Sequence, residues 1–236
     1  MALPDEAGPG ARRLDGPRMG PRSGGPAKQL VVLLHGLGAD GQDLIDLATH
    51  WAPSLPDAAF VAPDAPEACD MGPYGRQWFS LQDRRPAVMA AGAVAARGVL
   101  DGFLDAELGR LGLPGSALAL AGFSQGCMMA LYTGLRRAVP PAAILGYSGA
   151  LLGPESLATE MPALPAGGRP PVLLVHGEAD DIVPVQATRA AEAALRQAGV
   201  PVEALVRPGL AHGIDEAGLA AGRRWLEAAF GRATGA

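Results

Sequence analysis

Apolar residues recur along this chain in two alternating rhythms. Gln29–His35 (QLVVLLH) is a continuous apolar run of strand length. Ala58–Val61, Ala117–Gly122, Ala142–Tyr147, Pro171–His176 and Val202–Val206 repeat the pattern. Strands apolar on both faces are expected where helices cover both sides of a central parallel sheet. Between these runs the spacing turns helical. Leu100, Leu104, Leu108 and Leu111 share one face, as do Ala187, Ala191, Ala194 and Ala198, and Leu219, Leu226 and Phe230 line a last helix. Pro184 is placed to open the helix before Ala187, where a missing N–H is harmless. The alternation predicts an α/β architecture, a doubly wound and mostly parallel sheet with helices on both faces. No internal repeat is present.

Residues 1–28 break this order. They are rich in proline and glycine, mildly basic and without apolar periodicity, so they are expected as a flexible arm or irregular edge, with 29–236 as one domain. The length of 236 residues suits a single core, and 49% hydrophobic residues exclude disorder of the whole. A net charge of −5 with mixed signs argues against nucleic acid as the partner. Cys69 and Cys127 form neither a disulfide framework nor a metal motif, which predicts reduced thiols and a cytoplasmic protein. No run is expected to reach the length of a membrane span, the longest candidate being the alanine-rich Ala87–Ala96, and no secretory signal is apparent.

The chemistry begins at Gly122-Phe123-Ser124-Gln125-Gly126. This Gly-x-Ser-x-Gly follows the buried run ALALA and precedes a helix start, Cys127 to Tyr132. A strand turning sharply into a helix strains the serine, and flanking glycines remove the side chains that would clash. The hydroxyl then stands at the carboxyl edge of the sheet, over a helix N-terminus that favours developing negative charge. A serine needs a base, and the base an orienting acid, in chain order Ser, acid, His for such a fold. Two histidines follow Ser124. His212 lies in a loop before the last helix and suits a base reaching over the sheet edge, whereas His176 ends a strand and reads as packed. Glu178, Asp180 and Asp181 compete for the acid, and spacing alone leaves the choice open.

From Gln29 to Phe230 the chain resembles the phospholipase/carboxylesterase family of α/β-hydrolase-fold enzymes, which includes acyl-protein thioesterases. The resemblance rests on four motifs in order: His35-Gly36-Leu37-Gly38-Ala39-Asp40-Gly41, Gly122 to Gly126, His176 to Pro184, and Gly209-Leu210-Ala211-His212. It implies Asp180 as the acid, His212 as the base, and an oxyanion hole from the backbone N–H groups of Leu37 and Gln125. Arg76 to Ser80 is similar to the family's Trp-Phe segment near the pocket, although Ser80 stands where many members carry Asp. With no insertion large enough for a cap domain, an open site is implied, with Met71, Trp78, Leu151, Leu152 and Met161 as candidates for an acyl-facing surface.

The expected activity is that of a serine carboxylesterase on a small-molecule ester, with thioesters or lysophospholipids as further substrates. No metal or cofactor is implied, and related enzymes often pair as homodimers. The alternatives are an acyltransferase or perhydrolase using the same serine, and a noncatalytic ligand-binding protein. A dienelactone-hydrolase-like enzyme is disfavoured, since Ser124 stands where its cysteine would be.

Overall fold

The computed structural model describes residues 14–163 and 168–233. Six of the expected strands form within a residue or so of their predicted bounds: β2 (Gln29–Leu34), β3 (Ala58–Val61), β6 (Leu118–Phe123), β7 (Ala143–Tyr147), β8 (Val172–Gly177) and β9 (Val202–Arg207). With β1 (Arg18–Met19) they make a seven-stranded sheet in the order β1-β3-β2-β6-β7-β8-β9, parallel except for β1. A separate hairpin pairs β4 (Glu67–Ala68) with β5 (Arg76–Gln77). The chain order reverses at the β2–β6 junction, the place where parallel sheets of this kind open a crevice beyond their carboxyl ends.

Each face of the sheet buries its own apolar cluster. On one side α3 (Pro86–Leu111), α4 (Gln125–Gly134) and α6 (Gln186–Gln197) cover Leu30, Val32, Leu34, Leu118, Leu120 and Ile144. On the other, α1 (Gly41–Ile45), α2 (Leu47–Trp51) and α7 (Glu216–Ala233) cover Val31, Leu33, Phe60, Ala119, Leu145 and Leu173. The alternation along β2 is what a strand buried on both faces requires: odd residues serve one core and even residues the other. Removing one of these leucine side chains would cost about 2–5 kcal/mol.

Three expectations change. Residues 14–28 of the expected flexible arm lie along the sheet: Leu14 is buried, and β1 pairs antiparallel with β3. The anchor is Arg18, whose guanidinium reaches Glu107 of α3 at 2.7 Å and Asp15 at 2.6 Å. Polar tethers of this kind leave no apolar periodicity to read, and residues 1–13 lie outside the described part. Second, β9 is half-exposed throughout, because it is the edge strand. Third, the alanine-rich stretch extends into the 26-residue α3, which is long and apolar enough by length and composition to cross a membrane. It reaches that mark through alanine, glycine and valine spread over seven turns, with Val88 and Val94 exposed.

Burial by itself would raise the Glu107 carboxyl, but its hydrogen bonds to Arg18 and Arg110 outweigh this and hold it below its ordinary 4.5. A carboxylate with a depressed pKa stabilises the fold above its unfolded pKa, and that contribution disappears as pH falls through the folded value. Arg18→Ala is expected to lower stability by about 1 kcal/mol at pH 7, a partly exposed ion pair being worth little more. The difference from wild type should close as the pH is taken well below 4.5, measured by urea denaturation at each pH.

Candidate active site

β6 ends at Phe123 and α4 begins at Gln125, so Ser124 alone makes the turn. It does so with φ 54° and ψ −115°, a left-handed backbone that a residue with a β-carbon rarely adopts. Close packing enforces the turn. A β-carbon on Gly126 would stand 1.9 Å from the Leu34 carbonyl oxygen, and one on Gly122 would stand 2.1 Å from that of Gly126. The Ser124 N–H donates to Tyr147 O at 2.9 Å. Its half-exposed hydroxyl makes no hydrogen bond among the described residues, so it is free to act on a ligand.

The loop after β8 carries the three competing carboxylates, and the structure separates them. Glu178 and Asp181 are exposed, whereas the Asp180 side chain is fully buried. Asp180 Oδ1 accepts the N–H groups of Ile182 (3.0 Å) and Val183 (2.8 Å), and Oδ2 accepts Nδ1–H of His212 at 2.8 Å. Burial alone would raise this carboxyl. The hydrogen bond from His212, then those from Val183 and Ile182, together with the attraction of His212, hold it below its ordinary value. With Nδ1–H engaged, the lone pair of His212 is on Nε2, the atom a general base needs.

The loop holding His212 is fastened on both sides. Ala179 N–H donates to Leu210 O at 3.0 Å, and Ser148 Oγ donates to Gly213 O at 3.3 Å. Arg207 reaches Asp215 at 2.8 Å. The imidazole lies against the ring of Phe123, the residue before Ser124, with centroids 4.8 Å apart. The Asp180–His212 link is therefore closed, while Ser124 and His212 are not joined by a hydrogen bond. Such contacts often tighten only when substrate arrives.

His176, read from the sequence as a packed strand-end residue, is indeed fully buried. Its surroundings add something the sequence did not suggest. Nε2 faces Val183 O at 2.8 Å and Asp180 Oδ2 at 3.1 Å, so the proton belongs there, and Nδ1 then accepts the Thr188 hydroxyl at 2.6 Å. Asp180 thus lies between two histidines.

Leu37 follows β2 in a loop pressed against Ser124. A β-carbon on Gly36 would stand 3.3 Å from Ser124 Cβ. Neither the N–H of Leu37 nor that of Gln125 has an acceptor among the described residues. A strap from the β4–β5 hairpin holds both segments. Gly38 N–H donates to Arg76 O at 2.9 Å, and Arg76 N–H donates to Ala39 O at 2.8 Å. The Trp78 indole N–H donates to His35 O at 3.0 Å. The buried Gln125 side chain accepts Trp78 N–H at 2.9 Å and donates to Phe79 O at 2.7 Å. Burial lowers the pKa of His35 and keeps it neutral, with Nδ1–H on Gly36 O and Nε2 accepting from Ala65 N–H. The contacts of His35 and of the Gln125 side chain join segments remote in sequence, which spacing does not reveal, whereas His176, Asp180 and Thr188 meet within one short stretch.

The expected acyl-facing set divides. Trp78, Leu152 and Met161 are 1%, 4% and 7% exposed and belong to the core cluster under α3 and α4, so they present no surface to a substrate. The correction has a simple cause: apolar residues near a site serve the core before they serve a ligand. Leu151 is half-buried and Met71 is exposed. Cys127 is buried, and desolvation pushes its thiol up to about 12. Among the described residues, no group of three or more His, Cys, Asp or Glu side chains could hold a metal ion.

Known proteins resemble this chain in sequence and fold. The crystal structure of esterase PE8 superposes with a TM-score of 0.85 at 43% identity, covering 92% of this chain and 99% of that one. Acyl-protein thioesterase 1 of Schizosaccharomyces pombe is 34% identical over 161 residues, 65% of this chain and 69% of the relative. Esterase YpfH of Escherichia coli is 29% identical over 198 residues, 80% of this chain and 78% of the relative. The Phospholipase/Carboxylesterase family profile matches residues 22–229. With its parallel sheet, its strained serine and its buried Asp180–His212 pair, the chain belongs to the phospholipase/carboxylesterase family of α/β hydrolases.

Proposed function

We propose that this protein, a hydrolase acting on ester bonds, cleaves carboxylic esters through an acyl-enzyme on Ser124. The observation that carries the reading is the left-handed backbone of Ser124, strain of the kind proteins retain at functional sites, beside a histidine already paired to a buried carboxylate. Ser124 Oγ attacks the carbonyl carbon while His212 Nε2 takes its proton. Asp180 holds the imidazole in the Nδ1–H tautomer and favours its charged form. The N–H groups of Leu37 and Gln125 receive the oxyanion, each worth about 3 kcal/mol in the transition state. His212 returns the proton to the leaving oxygen, then activates the water that releases the acyl group. A thioester follows the same steps, and the likeness to an acyl-protein thioesterase makes it the second substrate to assay. The two free cysteines accord with a reducing cytoplasm.

Ser124→Ala is expected to keep the fold and lower kcat by roughly 10⁴-fold or more. Fluorophosphonate should label wild type at residue 124, and near-normal ester hydrolysis by the variant would refute the nucleophile. Asp180→Asn should reduce kcat by about 10³–10⁴-fold, because an amide NH₂ facing Nδ1 selects the wrong tautomer. Asp181→Asn, at an exposed position, should stay within about threefold of wild type. Equal losses in steady-state assays would leave Asp180 without its role. Trp78→Phe keeps the ring and deletes the donor to His35 O. It should lower kcat about tenfold with little change in KM, the mark of an interaction expressed in the transition state.

A further inference from the structure

A cleft of about 170 Å³ is lined by Asp43, Leu44, Leu47, Phe123 and Ile214. Its walls are neighbours of the reacting groups. Phe123 immediately precedes Ser124 and touches the His212 ring, Ile214 lies two residues past His212, and Leu44 and Leu47 follow the Leu37 loop. Leu47, Phe123 and Ile214 pack on the cluster under α1, α2 and α7, whereas Leu151 packs on the opposite cluster. The sheet edge bearing Ser124 therefore has an apolar surface on each side.

Proton transfer decides which part of a substrate lies on which side. When the tetrahedral carbon collapses, its bond to the leaving oxygen breaks, and His212 Nε2 delivers the proton taken from Ser124 to that oxygen. The alcohol departs, and the acyl group stays on Ser124 Oγ. The leaving oxygen must therefore face His212, whose ring lies against Phe123 of the cleft wall. At roughly 30 Å³ per water-sized group, the cleft accommodates about five or six heavy atoms. Asp43 is exposed at its rim and forms no ion pair among the described residues.

We propose, resting on the serine-esterase reading above, that this cleft is the leaving-group subsite. It takes a short alkyl or aryl alcohol that is uncharged or cationic, and Asp43 repels leaving groups carrying an anion.

The test keeps the acyl group constant and varies the alcohol. kcat/KM is measured for methyl, butyl, 2-(trimethylammonio)ethyl and 3-carboxypropyl acetate, and separately for methyl acetate against methyl butyrate. Wild type should favour butyl over methyl acetate by about fiftyfold, as burial of three further methylenes predicts. Ile214→Trp should cut that ratio at least about fivefold by filling the cleft, and Ile214→Ala should extend the preference to longer alcohols, while the acyl preference holds in both. Asp43→Asn should raise kcat/KM for the carboxypropyl ester about fivefold at low ionic strength, the gain shrinking with salt. An alcohol profile indifferent to residue 214, a change confined to the acyl series, or a carboxypropyl ester unaffected by Asp43→Asn would overturn the proposal. A wild type that hydrolyses these esters and is labelled at Ser124, yet shows a flat alcohol profile, would overturn the subsite alone. A wild type neither active nor labelled would overturn the esterase reading with it.

Discussion

The site depends on one steric constraint: the crossing of the nucleophile turn over the end of β2. Gly126 lies against the Leu34 carbonyl and Gly122 against Gly126, with no space for a β-carbon at either position. The turn is therefore held by backbone packed on backbone, which has no rotamer freedom to relax into. Ser124 takes its left-handed conformation because its neighbours leave no alternative. The same crossing sets the start of α4 against the end of β2, which continues into the Leu37 loop, at the point where the sheet order reverses.

Asp180 is positioned by a different logic. A buried carboxylate is costly unless its lone pairs are filled, and Asp180 fills them from its own loop and from His212. The two backbone donors make the loop self-consistent before the base arrives. His176, held by Thr188, adds a second imidazole at the Oδ2 side. Asp181, one residue away, has solvent and no such donors. Adjacent aspartates of identical intrinsic chemistry thus differ in environment because only one is enclosed.

The strap of residues 75–79 connects these two solutions. Its backbone is bonded to the Leu37 loop and its indole to His35, while the Gln125 side chain fixes it to the helix. Two distant segments held this way keep a fixed register, and the buried Trp78 serves that packing, whereas Leu151 and Phe123 are half-buried.

Local pattern determined a good deal. The six principal strands, the helix faces of α3, α6 and α7, and the elbow around Ser124 follow from runs of apolar residues and from glycine placement, which are properties of short segments. Recognising Asp180 among its neighbours required a family resemblance at the level of sequence. In space the choice follows from burial and hydrogen bonding, which depend on loops 30 residues apart meeting. Residues 14–28 had no periodicity to read because their attachment is a guanidinium on α3 and two residues of antiparallel pairing. The division of apolar residues near the site between core and ligand surface was also invisible in the chain. Trp78, Leu152 and Met161 look as suited to a substrate as Leu151 does, and only their enclosure in the core cluster with α3, α4 and α5 (Leu157–Glu160) sets them apart. Propensity and periodicity act within a turn or a strand, while enclosure is a property of the whole fold.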